Sequence, residues 1–480
     1  MITELLKMSA CEVVDALKRG EITSSDILSD LENRHLEIDP VVNALPTTCF
    51  DRAFKQAMNL EEQLAKKTSK KTQTLHGLPI PIKDSYRVEG VRTTFGSKAY
   101  EHYKPEASDV IVDIIEKAGG IVFAKSNTPE FEAGASTFND VFGYTRNPRD
   151  LSRSVGGSSG GAAAAVASGM AYIAQGSDFA CSLRFPASFC GIVGLRPTPG
   201  VVPQGPNKMP FQALSVLGPL GRSVADVGLG LDAFTGFDFR DPLSNPNSNK
   251  TNFRSAAEKP TAVHEFAYSD DLGLSVVSSE VKEVVSDAIR TLEGNGCKVN
   301  REFPDLEGST FIFDTLRAFQ FATLWGEATV KNRSKLKPEV SWNIDRGFNL
   351  DLADLILAER MRSDIRLRMI EFLRSHKFLI TPTAPVVPPY FEERYVKSIE
   401  GIEFDTYIDW LSLGYIISIT GCPAISLPCG VNADGLPVGM QIIAAPNREA
   451  ELLQFAAWIE SLFALGFDKP ADNLDRQIIV

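Results

Sequence analysis

The segment that most constrains this chain is residues 154–197, which read SVGGSSGGAAAAVASGMAYIAQGSDFACSLRFPASFCGIVGLRP. A glycine-rich turn opens here directly onto an alanine-rich run. Alanine favours helix, and the first N–H groups of a helix have no partner within it. Ser158 is therefore predicted at a helix amino end whose N–H groups point toward the turn. Ser182 follows in a second such turn. Both serine hydroxyl groups are therefore expected to be accessible to a reacting group.

A lysine upstream complements the two serines. The segment GLPIPIKD sets Lys83 among apolar and proline residues. A lysine held away from water loses its proton more readily, because burial disfavours the charged form. Serine at its ordinary pKa is a poor nucleophile and needs a base within hydrogen-bond reach. Two serines and one neutral lysine can therefore form an acyl-transfer site that needs no histidine.

Other interpretations of GGSSGG stay open on the segment alone. Ser-Gly clusters are most often flexible turns. A phosphate-binding loop would need G-x-x-x-x-G-K-[ST], which the sequence lacks. A hydrolase elbow of the G-x-S-x-G type would need a histidine partner. The five histidines are scattered in contexts typical of surfaces or loops: His35, His76, His102, His264 and His376.

Composition and charge narrow the protein class. Among 480 residues, 44% are hydrophobic and 23% charged, as in ordinary globular proteins. The formal net charge of −12 and the lack of a basic run disfavour binding to nucleic acid or to an anionic membrane. No secretion signal and no apolar stretch of membrane-spanning length occur, which predicts a cytoplasmic protein. The seven cysteines lack any C-x-x-C pair and are expected to be reduced thiols.

Periodicity predicts a mixture of helices and strands. Between residues 75 and 166, short apolar runs alternate with helical stretches, which is typical of an α/β sheet. FLITPTAPVVPP is predicted as a buried strand, and CPAISLPCGVNADGLPVGMQIIAAP as two strands joined by a turn at 432–435. Residues 238–260 are expected to form an exposed connection. Helices are predicted at 9–19 and at 23–39, where Asp39-Pro40 ends the helix, at 279–294, and over much of 309–374.

Several separated motifs agree with one known family. The chain carries PIKD around Lys83, GGSSGG at 156–161, GSDFACSLRFP at 176–186 and CGIVGLRPTPG at 190–200, with GYTRNP and GLPVGMQII farther out. In the order and separation of these motifs the chain resembles the amidase signature family, whose hallmark is a Gly/Ser-rich block followed by G-[ST]-D-x-x-x-S-[IL]-R-x-P. The resemblance covers most of the chain except roughly residues 240–400.

The resemblance implies a role for each residue of the triad. Ser182 is the expected nucleophile, Lys83 the general base, and Ser158 the relaying hydroxyl, held by a cis peptide bond after Gly157. The backbone amides of Phe179, Ala180, Cys181 and Ser182 are expected to face the developing oxyanion, where each donor is commonly worth about 3 kcal/mol. Asp178 and Arg184 are expected to pair beneath this loop and support it.

Ala180 and Cys181 depart from the family, most of whose members carry Gly-Gly before the nucleophile. A positive φ at either position would cost about 1–2 kcal/mol. The Cys181 thiol is a less favoured candidate nucleophile, because it has no identifiable histidine partner. Ser159 is expected to stabilise the turn. Phe131, Phe138 and Phe142 are candidate pocket residues, although phenylalanine is mostly a core residue.

The resemblance further implies a single amidase domain over 1–480, with a large mixed β-sheet between helices. Residues 1–70 are expected to form a helical layer, 75–235 the signature core, 300–400 a helical elaboration over the site, and 400–480 the C-terminal part of the sheet. The expected activity is hydrolysis of a small-molecule amide to acid plus amine or ammonia, without metal or organic cofactor, by a possible homodimer.

Two other functions stay open. The chain could be the amidase component of glutamyl-tRNA amidotransferase, releasing ammonia from glutamine for a partner protein. The segment DTLRAFQFATLWGEA does not match the tyrosine- and serine-containing motif expected for that role. A noncatalytic binding protein is the third interpretation, and the presence of Lys83, Ser158 and Ser182 together argues against it.

Overall fold

The computed structural model describes residues 2–66, 73–245, 251–471 and 474. Its main feature is an eight-stranded mixed sheet, with strands in the spatial order Lys298–Asn300, Glu265–Tyr268, Phe378–Pro382, Pro437–Ala444, Ala424–Val431, Val193–Arg196, Val216–Gly221 and Ile173–Asp178. The first three strands are parallel, and every later neighbouring pair is antiparallel. The predicted mixed α/β class is confirmed.

Helices flank this sheet. Arg184–Cys190, Ser279–Gly294 and Glu449–Phe463 all pack against the strand Ala424–Val431. The remaining α-helices are Glu4–Lys7, Ala10–Arg19, Ser24–Val42, Phe50–Ala65, Val110–Lys117, Gly160–Ala167, Val224–Phe234, Phe253–Ala257, Ser309–Asn332, Pro338–Phe348, Leu352–His376 and Ser412–Thr420. None of the described helices is both long and apolar enough to cross a membrane.

Lys83 lies on a second, smaller sheet. The strand Pro79–Lys83 runs parallel to Ile121–Ser126, which also pairs with Thr47–Thr48. All five residues of the lysine strand are buried, so its alternating proline and isoleucine side chains pack on both faces. The strand lies against Ile173–Asp178 of the large sheet, and the Lys83 N–H donates to Gln175 Oε1 at 3.1 Å. The lysine is thereby fixed beside the edge strand that leads to Ser182.

The predicted helix starts near the amino end are confirmed, but one helix end is wrong. Ser9 and Thr23 both form capping boxes with the acidic residue three positions later. The helix predicted to end at Asp39-Pro40 continues to Val42. The Asp39 carboxylate accepts the N–H groups of Ala44 and Leu45, and Asn43 closes the helix at φ 55°. This tertiary cap outweighs the local effect of proline.

The helical prediction for 309–374, the helix at 279–294 and the two-stranded C-terminal hairpin are confirmed. The connection at 238–260 contains a helix, Phe253–Ala257, that the sequence analysis missed. The Asp232 carboxylate accepts the N–H groups of Phe253 and Arg254, and the Phe253 ring is buried. Residues 246–250 of this predicted connection lie outside the described residues.

The helix Gly160–Ala167 gives a test of the packing around the glycine-rich turn. A Cβ on Gly161 would lie 2.3 Å from the Asn127 nitrogen and 2.6 Å from the Ala44 oxygen, both backbone atoms. We expect Gly161→Ala to destabilise the protein by about 1–3 kcal/mol, because neither atom can rotate away. Gly294→Ala is the matched control, since the space around that helical glycine is open. It should stabilise by about 0.5–1 kcal/mol in urea unfolding, and equal effects of the two changes would contradict this packing.

Candidate active site

The Lys83 ammonium nitrogen lies at the centre of three oxygen atoms. Its Nζ is 2.7 Å from Ser158 Oγ, 2.8 Å from Ser177 Oγ and 2.7 Å from Glu132 Oε1. The lysine side chain is fully buried. Burial lowers the pKa of Lys83 from its ordinary value, although the Glu132 charge opposes that change. The predicted contact between Lys83 and Ser158 is therefore present.

The two predicted serines lie on neighbouring loops. Ser158 follows a cis Gly157–Ser158 peptide bond, and the helix Gly160–Ala167 begins two residues later. Ser182 lies between the strand Ile173–Asp178 and the helix Arg184–Cys190, with 7% of its surface exposed. The Ser159 N–H donates to the Ser182 carbonyl oxygen at 3.3 Å, which joins the two loops.

Ser159 fills the structural role expected of it. Its Oγ donates to the Ser177 carbonyl oxygen at 3.1 Å and accepts the Ser177 N–H at 3.2 Å. The hydroxyl thus fastens the glycine-rich turn to the edge strand of the large sheet. Because Ser177 also contacts Lys83, this turn and the lysine are held against the same residue.

The loop before Ser182 presents backbone donors. Within the described part of the chain, the amide N–H groups of residues 179–182 donate to no protein acceptor. Residues 180–182 are nevertheless almost completely buried. Several such donors in one turn can stabilise a developing oxyanion. Neither Ala180 nor Cys181 has a positive φ, so the two side chains that replace the family's glycines bring no backbone strain of this kind.

The Cys181 side chain points into the protein interior. A Cβ on Gly414 would lie 2.4 Å from the Cys181 Cβ, so the absence of a side chain at 414 leaves the space that Cys181 occupies. Only 1% of Cys181 is exposed, and burial raises the pKa of its thiol well above the ordinary value. A thiol kept in its neutral form is a weak nucleophile. These facts favour Ser182 over Cys181 as the candidate nucleophile.

A buried ion-pair cluster lies beneath this loop. Arg184 Nε and Nη2 are each 3.0 Å from the Asp178 carboxylate, and Arg196 Nη1 is 3.2 Å from the same group. All three side chains are fully buried. Burial opposes ionisation, but the two guanidinium groups outweigh it and hold the pKa of Asp178 at about 2. Arg184 also donates to the Ala180 carbonyl oxygen, so the cluster fastens the loop directly.

Glu132 is a site residue that the sequence analysis missed. Its Oε1 also accepts from Ser177 Oγ at 2.6 Å, and its side chain is 26% exposed. Phe131 and Glu132 have φ values of 46° and 61°. Non-glycine residues in this region cost of order 1–3 kcal/mol each and are common at functional sites. The sequence NTPEFEAG carries no glycine at these two positions to signal such a turn.

An aromatic cavity of about 340 Å³ opens beside Glu132. Its lining includes six aromatic rings: Tyr86, Phe95, Tyr100, Tyr103, Phe131 and Trp325. Phe131 stacks on Trp325 with ring centroids 4.2 Å apart. Arg87 and Asp109 also line the cavity, and they form an ion pair with 2.5 Å between Arg87 Nη2 and Asp109 Oδ1. The cavity has the size of a small-molecule site and reaches the Lys83 cluster through Glu132.

Only one of the three candidate pocket phenylalanines lines this cavity. Phe131 does. Phe138 instead contacts two cations, since Lys337 Nζ and Arg394 Cζ lie 5.1 and 4.9 Å from the centroid of its ring. Phe142 lies below Arg92 in another surface depression. The helical segment 309–332 supplies Trp325 instead, from the region that the motifs left unassigned.

A family model described as Amidase matches residues 26–453. The chain belongs to the amidase family. An acylamidase of Rhodococcus erythropolis is 32% identical over 97% of this chain and 98% of its own length. A glutamyl-tRNA(Gln) amidotransferase subunit of Thermodesulfovibrio yellowstonii is 33% identical over 94% and 96%. The crystal structure of a bacterial aryl acylamidase of the amidase signature family superposes with a TM-score of 0.90, at 25% identity, over 98% and 99%.

Family membership makes the protein an amidohydrolase that acts on amide bonds. It also agrees with the large mixed sheet and its flanking helices. The predicted family and fold are thus confirmed.

The ion-pair cluster of this amidase gives a second test. We expect Asp178→Asn to cost about 3–5 kcal/mol of unfolding free energy, because two buried guanidinium groups lose their counter-charge. Asp345→Asn is the control, since Asp345 pairs with Arg333 at the surface, where the side chains are 45% and 58% exposed. That change should cost less than about 1 kcal/mol. Similar losses in urea unfolding would contradict a supporting role for the buried cluster.

Proposed function

We propose that this amidase hydrolyses a carboxylic amide to an acid plus an amine or ammonia through an acyl-enzyme on Ser182. The observation that carries the proposal is the 2.7 Å contact between the buried Lys83 nitrogen and Ser158 Oγ. It joins a base whose pKa burial lowers to a hydroxyl on the loop next to Ser182. A site of this kind suits acyl transfer without histidine.

The proposed proton path runs from Ser182 through Ser158 to Lys83. Ser182 Oγ forms a bond to the amide carbon while its proton passes to Ser158, whose own proton passes to neutral Lys83. The carbon–nitrogen bond breaks as the leaving amine takes the proton back along the same route. Water then attacks the acyl-enzyme with the same two groups as base and relay, and the acid is released. The backbone N–H groups of 179–182 stabilise the oxyanion of both tetrahedral intermediates.

The aromatic cavity is the proposed site for the apolar part of the substrate. Stacked rings bind flat or apolar groups through buried area and π contacts. Four charged side chains of the described chain line the cavity, and each already has a partner: Arg87 pairs with Asp109, Glu132 with Lys83 and Lys208 with Glu327. Relatives named acylamidase and aryl acylamidase agree with an amide that carries an apolar or aryl group.

The second candidate is the glutaminase component of glutamyl-tRNA(Gln) amidotransferase. Its support is the 33% identity with a component of that enzyme over almost the whole chain. Glutamine carries a charged amino group and a charged carboxylate group, whereas the charged residues that line the cavity already pair with other side chains. We therefore place this function second. A homodimer and a cytoplasmic location stay predictions.

The assignment of the nucleophile has a direct test. We expect Ser182→Ala to lower kcat by about 10⁴-fold or more, because the remaining groups cannot form the acyl-enzyme. A serine-directed fluorophosphonate should label the unmodified protein at residue 182, as read by peptide mass spectrometry. Cys181→Ala is the matched control and should keep the label. Labelling elsewhere, or an active Ser182→Ala protein, would overturn the assignment.

Substrate class is tested by comparing an anilide with glutamine on the same preparation. We expect turnover of the anilide, and Trp325→Ala should raise its KM about tenfold, since the ring forms one wall of the cavity. Glutamine turnover alone, or a stable partner that copurifies, would favour the amidotransferase component instead.

A further inference from the structure

Glu132 is a charged side chain in contact with the Lys83 nitrogen, and the proton path above does not use it. Among the described residues, the polar side-chain atoms in contact with this nitrogen are Ser158 Oγ, Ser177 Oγ and Glu132 Oε1. A protonated lysine has three N–H donors and could donate to all three. A neutral lysine has two N–H donors and one lone pair. Its function as a base depends on where that lone pair points.

Two of the three neighbours can only accept from the lysine. The Glu132 carboxylate has no proton to give. Ser177 has one hydroxyl proton, and it is donated to Glu132 Oε1 at 2.6 Å. Both neutral N–H groups of Lys83 are therefore taken by Glu132 and Ser177. The lone pair is left facing Ser158, the single neighbour of the three that is free to donate.

On this basis we propose that Glu132 is a positioning residue that fixes the base. Its carboxylate holds Ser177 as an acceptor, takes one N–H of Lys83 itself, and so directs the lysine lone pair at Ser158. It also sets the pH at which Lys83 becomes a base. This inference rests on the proposed function, since it assigns a role within the same proton path.

The turn that carries Glu132 is held from outside the signature motifs. Glu130 Oε1 accepts from Ser97 Oγ at 2.5 Å, and its Oε2 accepts the Lys337 N–H at 2.7 Å. The Lys337 ammonium donates to the Ala133 carbonyl oxygen. These contacts fasten the turn on both sides of Glu132, where two successive residues have positive φ. The helix that begins at Pro338 thus supports the site, which gives part of the 300–400 region a role.

The charges around Lys83 give the direction of the pH effect. The ionisable groups that face it are Glu132 from the turn, Asp178 from the edge strand and Cys181 from the loop, while Tyr86 faces Glu132. Two arginines already neutralise Asp178, and burial raises the pKa of both Cys181 and Tyr86, which keeps them uncharged. Glu132 is the remaining negative charge, and it favours protonated Lys83. Without that charge the lysine should become neutral at lower pH.

The test uses two substitutions at Glu132. Glu132→Gln keeps an accepting oxygen and removes the charge, so the ascending limb of the rate against pH should move to lower pH, and the plateau kcat should fall less than in Glu132→Ala. Glu132→Ala removes the acceptor and frees Ser177, so the plateau kcat should fall about tenfold or more. KM should change less than kcat. A residue that only supports the turn would not move the pH limb.

The rate is read in two ways, so that this inference and the proposed function fail separately. One is amide turnover. The other is the pH dependence of fluorophosphonate labelling at Ser182, in which Ser182 Oγ bonds to phosphorus, fluoride leaves and the serine proton passes through Ser158 to Lys83. If Ser182 is not labelled, the proposed function fails. If Ser182 is labelled but Glu132→Gln leaves the limb unmoved or shifts it upward, the inference about Glu132 is wrong.

Glu130→Gln is the matched control. It removes a buried carboxylate two residues away in the same turn, and the contacts of Glu130 run to Ser97 and Lys337 rather than to Lys83. The variant is expected to be less stable, with its pH limb where the unmodified protein has it. An equal shift in both variants would mean that the limb reports distortion of the turn, and the role proposed for Glu132 would be rejected.

Discussion

One buried nitrogen, the Nζ of Lys83, is the point on which the rest of the site depends. A charged amine is costly in a buried site, so burial drives it toward the neutral form, while a carboxylate at 2.7 Å holds it toward the charged form. The balance between these two effects decides whether Ser158 faces a donor or a base. The proposed acyl-transfer chemistry depends on that balance, because the groups that contact Lys83 in the described chain include no histidine.

The fold brings the three candidate catalytic residues together from separate parts of the chain. Lys83 ends a strand of the small sheet, Ser158 precedes a helix, and Ser182 follows the edge strand of the large sheet. Each is held by a contact other than its proposed catalytic one: Lys83 by the bond from its N–H to Gln175 Oε1, Ser158 by the neighbouring Ser159 hydroxyl, and Ser182 by the Asp178 cluster. The positions of the three side chains are therefore set by rigid elements, and the proposed proton transfer involves the amine and hydroxyl groups at their ends.

The sequence predicted the parts of the site that local patterns carry. Capping boxes, the glycine-rich turn and the buried lysine strand depend on neighbours in the chain, and so does the end of the helix at Gly294. The place of Glu132 beside Lys83 could not be predicted, because its turn has positive φ values and is held by Lys337, which contacts Glu130 and Ala133 from far along the chain. The helix end at Val42 was missed for a related reason, since Asp39 caps amides beyond the helix.

The pKa of Lys83 tests the proposed proton path most directly. Heteronuclear NMR of the lysine side-chain nitrogen, assigned with a Lys83→Met variant, would follow its titration in the intact protein. We expect a pKa below the ordinary lysine value of 10.5. A lysine that keeps its proton up to or beyond that value would contradict the proposal that a neutral amine draws the proton from Ser158.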